Sequence, residues 1–212
     1  STLLASSAAS DVYKRQEKID NMMYEVIGSS EQKMDKGHPE SLLSNLVAEV
    51  LRQAATKVQD KPADMGLVNM GGLRNILPAG DITVGTVYEI LPFENSLCVM
   101  KMKGTHLKAL LTSIASLKGE GVSGIRMEIT KDGKLLNATV GGQPIDDNKL
   151  YTVATIDYLA DGNGSMEAFL QADDRVCPEG ATLRGLFLDY VRQQTAAGKK
   201  ITSALDGRIT VK

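Results

Sequence analysis

Apolar residues recur at helical spacing in three stretches of the chain, at residues 40–58, 105–117 and 182–196. In each stretch they return every three or four positions, as on the buried face of an amphipathic helix. Asp60-Lys61-Pro62 follows the first stretch, and proline cannot continue a helix. The pattern therefore predicts three helices. Thr105 is expected to be the N-cap of the second, because its hydroxyl can accept a free amide of the first turn.

Short apolar or alternating stretches predict strands between these helices, at residues 65–68, 97–102, 125–130, 135–140, 150–156 and 207–211. Residues 82–90 also alternate apolar and polar positions. Asp132-Gly133 separates two of the strands and suits the tight turn of a β-hairpin. Two glycine-rich segments, residues 119–124 and 161–164, are interpreted as loops. Helices alternate with strands and hairpins, so the sequence predicts a mixed α and β domain rather than a doubly wound parallel sheet.

The overall composition narrows the class of protein. The chain has 212 residues, of which 42% are hydrophobic and 24% are charged, as is ordinary for a globular domain with a full core. The net charge of −2 and the lack of a long basic run argue against a nucleic-acid partner. No stretch approaches the roughly 20 apolar residues of a membrane helix. We therefore expect neither nucleic acid binding nor a membrane span.

The cysteines and the N-terminal segment leave the compartment open. Cys98 and Cys177 lie far apart without metal-ligand spacing, and two buried thiols are favoured over a disulfide. Residues 1–16 have no charged segment before their apolar residues, unlike a signal peptide, and are expected to be a non-native tail. Residues 17–212 are then the domain, and the true N-terminus lies outside the printed chain.

Two neighbouring motifs offer groups that could hold a nucleotide. Residues 69–74 read Asn-Met-Gly-Gly-Leu-Arg directly after a predicted strand. The glycines let the backbone approach a ligand, and Arg74 offers a planar fork of donors to a phosphate. The alternative is a glycine-rich turn with a surface arginine, since short glycine motifs are weak evidence. None of these groups can hydrolyse a nucleotide.

Phe93 and Tyr158 are the candidates for binding a flat ring. Phe93 lies in the segment Leu-Pro-Phe-Glu-Asn at residues 91–95, and Asn95 adds an amide that can read a polar edge. Each aromatic ring could equally belong to the core. If the two rings face each other across a gap, they can clamp a base, and such stacking contributes about 1 to 3 kcal/mol per base.

Other reactive residues show no catalytic arrangement. His38 and His106 stand apart from each other and from any acidic pattern typical of a metal site. His106 is expected to be a solvated or capping residue, and His38 at most a contact at the rim of a site. Ser165 lies in Gly-Asn-Gly-Ser-Met, which is not a nucleophile elbow. The sequence therefore predicts no catalytic residue and no metal ligand.

Taken in order, several motifs resemble the C-terminal domain of the 5′-nucleotidase family. The matching segments are residues 40–46, 69–74, 80–83, 91–95, 103–104, 151–160 and 207–209. They cover most of the chain, from about residue 39 to 208, in the order and spacing of the family. The resemblance implies an α+β fold of four layers, α/β/β/α.

The resemblance also implies roles for individual residues. Asn69 and Arg74 would contact ribose or phosphate, and Phe93 and Tyr158 would enclose the base. The whole expected substrate-binding set is Asn69, Gly71, Gly72, Arg74, Phe93, Asn95, Gly121, Tyr158, Asp161 and Asn163. Asn95 and Gly121 would touch the base edge.

The chain departs from the family pattern in three places. The family holds two catalytic metal ions in a metallophosphoesterase domain that these residues do not include. The aspartate that binds ribose falls on Gly164, for which Asp161 or Asn163 could substitute. Gly37 and His38 stand where a phosphate-binding arginine is usual.

These departures shape the expected function. The chain is expected to recognise a nucleotide or nucleoside for a 5′-nucleotidase-type hydrolase of nucleotide catabolism, with the two divalent metals held by a separate chain or domain. The alternatives are a drifted binding module or a scaffold on the same fold. A bacterial periplasmic or exported location is implied by the family alone.

Overall fold

Six α-helices and eleven β-strands make up the computed structural model, which describes residues 2–212. The helices are α1 Thr2–Met23, α2 Leu42–Ala54, α3 Val84–Ile90, α4 Gly104–Ser116, α5 Asp157–Ala160 and α6 Leu183–Ala196. Short 3-10 turns lie at Ala55–Lys57, Met70–Gly72 and Glu167–Gln171. The three predicted helices correspond to α2, α4 and α6.

The strands form three sheets. They are β1 Val26–Ser30, β2 Met65–Val68, β3 Gly80–Thr83, β4 Leu97–Lys103, β5 Gly121–Ser123, β6 Ile125–Ile129, β7 Leu135–Val140, β8 Gln143–Pro144, β9 Leu150–Ile156, β10 Asp174–Val176 and β11 Ile209–Val211. The largest sheet has the order β10-β4-β9-β2-β5, a second has the order β11-β6-β7-β8, and β1 pairs with β3. Mixed helices and sheets of this kind confirm the expected α+β class.

The centre of the molecule is the strand β9. It pairs antiparallel with β4 from Leu97 opposite Ile156 to Lys103 opposite Leu150, and parallel with β2. Every residue from 151 to 156 is buried, so both faces of β9 are covered. Helix α2 packs on β2, β5 and β9, while α4 contacts β4, β9 and β7 of the second sheet. Burying these apolar faces is the main source of stability.

Helix α2 begins and packs as its sequence dictates. Ser41 is the N-cap, and its hydroxyl accepts the backbone N–H of Ser44. The apolar face of α2 then lies directly against β2, where Gly66 has no side chain. A Cβ at Gly66 would overlap the carbonyl oxygen of Ala48 and would meet Arg52 Cβ at 3.1 Å. The glycine therefore permits the close approach of helix and strand.

Replacing Gly66 with alanine is expected to lower the free energy of unfolding by about 2 kcal/mol, because helix and strand must move apart to admit the methyl group. Denaturant unfolding of the purified variant measures this. Gly37→Ala is the matched control, since its nearest neighbour would be Ser41 Cβ at 4.0 Å. Equal stability of the two variants would show that α2 and β2 adjust freely.

The predicted helix and loop boundaries are wrong at three points. Helix α4 begins at Gly104 with Lys103 as its N-cap, so Thr105 is not the cap. The alternating residues 82–90 contain the end of β3 and all of α3, whose side chains at 84, 87 and 90 are buried at helical spacing. Residues 119–124 are not simply a loop, because the buried strand β5 lies within them and pairs with β2.

A disulfide joins Cys98 and Cys177, so the expectation of two free thiols is wrong. Cys98 is buried in β4, and Cys177 follows β10 directly. The two strands pair antiparallel, with Val176 opposite Val99, and this register brings the cysteines together. The three residues of β10 are all exposed and show no strand pattern, so the sequence does not indicate the pairing.

Helix α1 contributes no fully buried residue to the core. It runs from Thr2 to Met23 without a buried side chain, and its last residue packs partly against the core. The helix crosses the expected boundary at residue 16 without a break. The division into a non-native tail at 1–16 and a domain at 17–212 stays a prediction.

Candidate functional site

One cleft of about 390 Å³ brings together six residues of the predicted set. Its lining is Asn69, Gly71, Gly72, Phe93, Asn95 and Tyr158. The strand directions in the largest sheet explain why these six residues lie together. Strands β2 and β9 run parallel and end at the same edge, and the antiparallel strand β4 begins there. The segments that follow β2, precede β4 and follow β9 therefore surround one space.

Two aromatic rings of the cleft are half exposed. Phe93 is 49% exposed and Tyr158 is 44% exposed. The other two phenylalanines, Phe169 and Phe187, are buried in the core. Phe93 and Tyr158 are therefore not core aromatics, which was the alternative interpretation of both. Their apolar rings on one concave surface suit a flat ligand.

The turn at residues 69–74 forms one side of the cleft. Asn69 Oδ1 is buried and has no hydrogen-bond partner within residues 2–212, so its hydrogen-bonding capacity is unsatisfied. Arg74 Nη1 donates to the carbonyl oxygen of Gly71 at 3.3 Å. The Arg74 guanidinium carbon lies 6.0 Å from the centre of the Phe93 ring, within range of a cation–π contact. Arg74 thus connects the glycine turn to the aromatic wall.

Glu120 supports the same turn from behind and was missed by the sequence analysis. It is only 6% exposed, and its Oε1 accepts the backbone N–H of Met70 at 3.0 Å. Burial raises the pKa of its carboxyl group to about 7, and the Met70 hydrogen bond opposes the rise. No charged side chain among residues 2–212 contributes to this shift. A glutamate between two glycines gave no signal of burial in the sequence.

The loop that follows Tyr158 is held by its own contacts. Asn163 Nδ2 donates to the carbonyl oxygen of Tyr158 at 3.0 Å. Asp161 Oδ1 forms an ion pair with Arg175 Nη1 at 2.7 Å. Gly164 has φ +66°, a conformation that side chains rarely adopt, and an added Cβ would lie 3.0 Å from Leu159. Glycine at this position is therefore explained by the backbone of the loop.

Four residues of the predicted set lie around the cleft rather than in its lining. They are Arg74, Gly121, Asp161 and Asn163. Gly121 is buried in β5 opposite Val68, where a Cβ would lie 2.5 Å from Val68 Cγ1, so its role here is close packing. Direct contacts of these four residues with a ligand stay predictions.

The cleft offers stacking surfaces and neutral hydrogen-bonding groups, namely two amides and a phenol. Within residues 2–212, no group of three or more His, Cys, Asp or Glu side chains is placed to hold a metal ion. In the same range, no helix is both long and apolar enough to cross a membrane.

Comparisons with known proteins match most of this chain to one family. The family described as "5′-nucleotidase, C-terminal domain" matches residues 26–171. The chain is 31% identical over 112 residues to "Silent protein UshA(0)" of Salmonella typhimurium, covering 51% of this chain and 20% of that protein. It is 33% identical over 128 residues to the NAD 5′-nucleotidase of Haemophilus influenzae, covering 51% and 21%. The chain thus spans about a fifth of the length of these relatives.

A solved structure extends the match to almost the whole chain. The 5′-nucleotidase precursor from Thermus thermophilus superposes with a TM-score of 0.81 at 27% identity, covering 96% of this chain and 43% of that one. This similarity confirms the expected four-layer α+β fold. With the family match over most of its length, the chain belongs to the 5′-nucleotidase C-terminal domain family.

Proposed function

We propose that this chain binds the nucleoside part of a nucleotide in the cleft between Phe93 and Tyr158. The observation that carries the proposal is the pair of half-exposed rings on one cleft of about 390 Å³, a size within the range of small-molecule sites. The base stacks between the rings, and Asn95 reads its edge. Asn69 and Arg74 contact ribose or phosphate, because Asn69 has unsatisfied hydrogen-bonding capacity and Arg74 offers donors.

The activity of the relatives supports a place in nucleotide hydrolysis. One relative is named an NAD 5′-nucleotidase, and this chain corresponds to about a fifth of it. The proposed role is recognition. A metallophosphoesterase domain or chain, with two divalent metals, would perform the hydrolysis on the substrate that the cleft presents. No hydrolytic step is assigned to the residues described here.

A second candidate is a drifted binding module with a weaker hold on ribose. Asp161 is engaged by Arg175 at 2.7 Å, and Gly164 provides no side chain. Because of both features, a bound ribose would have fewer hydrogen-bonding partners in the cleft than the base has stacking partners. On this alternative, the cleft keeps its stacking surfaces and takes another flat ligand.

Calorimetric titration of the purified chain against adenosine, AMP and UMP, without added metal, tests the proposal. Saturable binding of at least one of the three is expected. AMP should bind more tightly than adenosine if Arg74 reaches the phosphate, and Arg74→Ala should remove that difference. Absence of heat with all three ligands would overturn nucleoside recognition and leave the drifted module or scaffold.

A further inference from the structure

The first turn of α6 is hydrogen-bonded to the segment that contains Phe93. Arg184 Nε donates to the carbonyl oxygen of Leu91 at 2.9 Å, and its Nη2 donates to that of Pro92 at 2.7 Å. These two carbonyls immediately precede Phe93. The guanidinium carbon of Arg184 lies 4.2 Å from the centre of the Tyr88 ring, so the ring supports the side chain from α3.

The same part of α6 also holds the chain on the other side of Phe93. The backbone N–H of Leu183 donates to the carbonyl oxygen of Asn95 at 2.8 Å. The N–H of Leu97 donates to the carbonyl oxygen of Ala181 at 2.8 Å, which ties the start of β4 to the residue before the α6 cap. Phe93 is therefore flanked by attachment points that all lie within residues 181–184. Among these points, only Arg184 acts through a side chain.

We propose that Arg184 is a positioning residue for ligand binding, because it fixes the backbone from which the Phe93 ring projects into the cleft. The ligand class rests on the proposed function, but the positioning itself does not. The Phe93 ring is half exposed and is not enclosed by the core, so apart from the Arg74 contact its direction depends on the peptide units before it. The planar fork of an arginine donates to two successive carbonyls at once, and a single lysine ammonium would hold them less rigidly.

The competing explanation is that Arg184 only joins α3 to α6 through Tyr88. A site-specific probe separates the two, because the chain contains no tryptophan. Phe93→Trp places a single tryptophan at the wall of the cleft, and it can be excited selectively in the presence of the six tyrosines. Its fluorescence anisotropy reports the mobility of that side chain in the ligand-free protein, and its quenching reports nucleoside binding.

In the Phe93→Trp background, Arg184→Ala is expected to lower the anisotropy and to weaken adenosine binding about fivefold. Arg184→Lys should restore part of both, since one carbonyl can still be held. Tyr88→Leu is the matched control. It removes the ring that contacts the guanidinium but leaves both hydrogen bonds, so the anisotropy and the affinity should stay near those of the Phe93→Trp parent.

Unchanged anisotropy in both Arg184 variants would overturn the proposal, even if their thermal midpoints fall, because Arg184 would then serve stability alone. A larger loss in Tyr88→Leu than in Arg184→Ala would also overturn it. If the Phe93→Trp parent and the unmodified chain bind no nucleoside, the proposed function fails. A drop of anisotropy in Arg184→Ala would still support the positioning of residue 93.

Discussion

Replacing Phe93 with alanine is expected to weaken nucleoside binding about tenfold or more while leaving the fold intact. The ring is 49% exposed on the cleft, so its removal opens no cavity in the core. A stacked base would lose one of its two walls, and stacking contributes about 1 to 3 kcal/mol, of which about 1.4 kcal/mol corresponds to tenfold. Calorimetric titration with adenosine measures the loss, and thermal unfolding checks the fold.

Two variants serve as controls for Phe93→Ala. Phe93→Tyr keeps the aromatic face and should retain affinity within about threefold, since each ring offers a π-surface to the base. Leu170→Ala removes an apolar side chain that is 63% exposed beside the loop after Tyr158 but does not line the cleft. The Leu170→Ala variant should bind adenosine with the same affinity as the parent protein. Equal adenosine affinity in Phe93→Ala and the parent would contradict the assignment of Phe93 as a wall of the site.

Replacing Glu120 with glutamine is expected to stabilise the protein at pH 8 and to change little near pH 4.5. The folded-state pKa is about 7 against an ordinary 4.5, because burial disfavours the charged carboxylate. The folded state thus binds this proton more firmly than the unfolded state. Stability falls as the pH rises from about 4.5 through about 7, by about 3 kcal/mol in total. Glutamine removes that loss and keeps an acceptor for the Met70 N–H.

Urea unfolding of the parent and of Glu120→Gln at several pH values measures the difference in free energy of unfolding. Glu94→Gln removes the same charge from an exposed position and is the control for net charge. Glu49 also has a shifted pKa, which burial raises but the hydrogen bonds of Arg52, Ser123 and Gln53 bring down to about 2, so its effect lies below pH 4.5. A difference between parent and Glu120→Gln that does not vary from pH 5 to 8 would refute the buried ionisation of Glu120.

Six residues of the predicted set line one cleft, because they lie in short motifs at the ends of predictable strands. Met65–Val68 is a continuous apolar run, so Asn69 could be placed at the end of a buried strand. Phe93 and Tyr158 could be paired only through the resemblance, since each ring alone fitted the core equally well. Their half exposure in the structure is the observation that the pattern could not provide.

Residues that act on backbone groups far away in the sequence could not be predicted. Arg184 contacts carbonyls more than 90 positions earlier, yet in sequence it is one polar residue near the start of an amphipathic helix. Glu120 accepts an N–H from a turn 50 positions away. The resemblance alone assigned Gly121 to the base edge, and a glycine in sequence does not reveal the close packing of this residue against Val68. The exposed strand β10 had no pattern at all.

The residues that pair β4 with β9 are different from the two aromatic residues of the cleft. The pairing ends with Leu97 opposite Ile156, and positions 93 and 158 lie just beyond it on the two chain segments. Substitutions at these two positions therefore leave the register of the sheet, and with it the spacing of the segments around the cleft, unchanged. A combinatorial library restricted to them would vary ligand preference on a constant scaffold. On the proposed function, the ligand preference of the domain could change in evolution while its architecture stays the same.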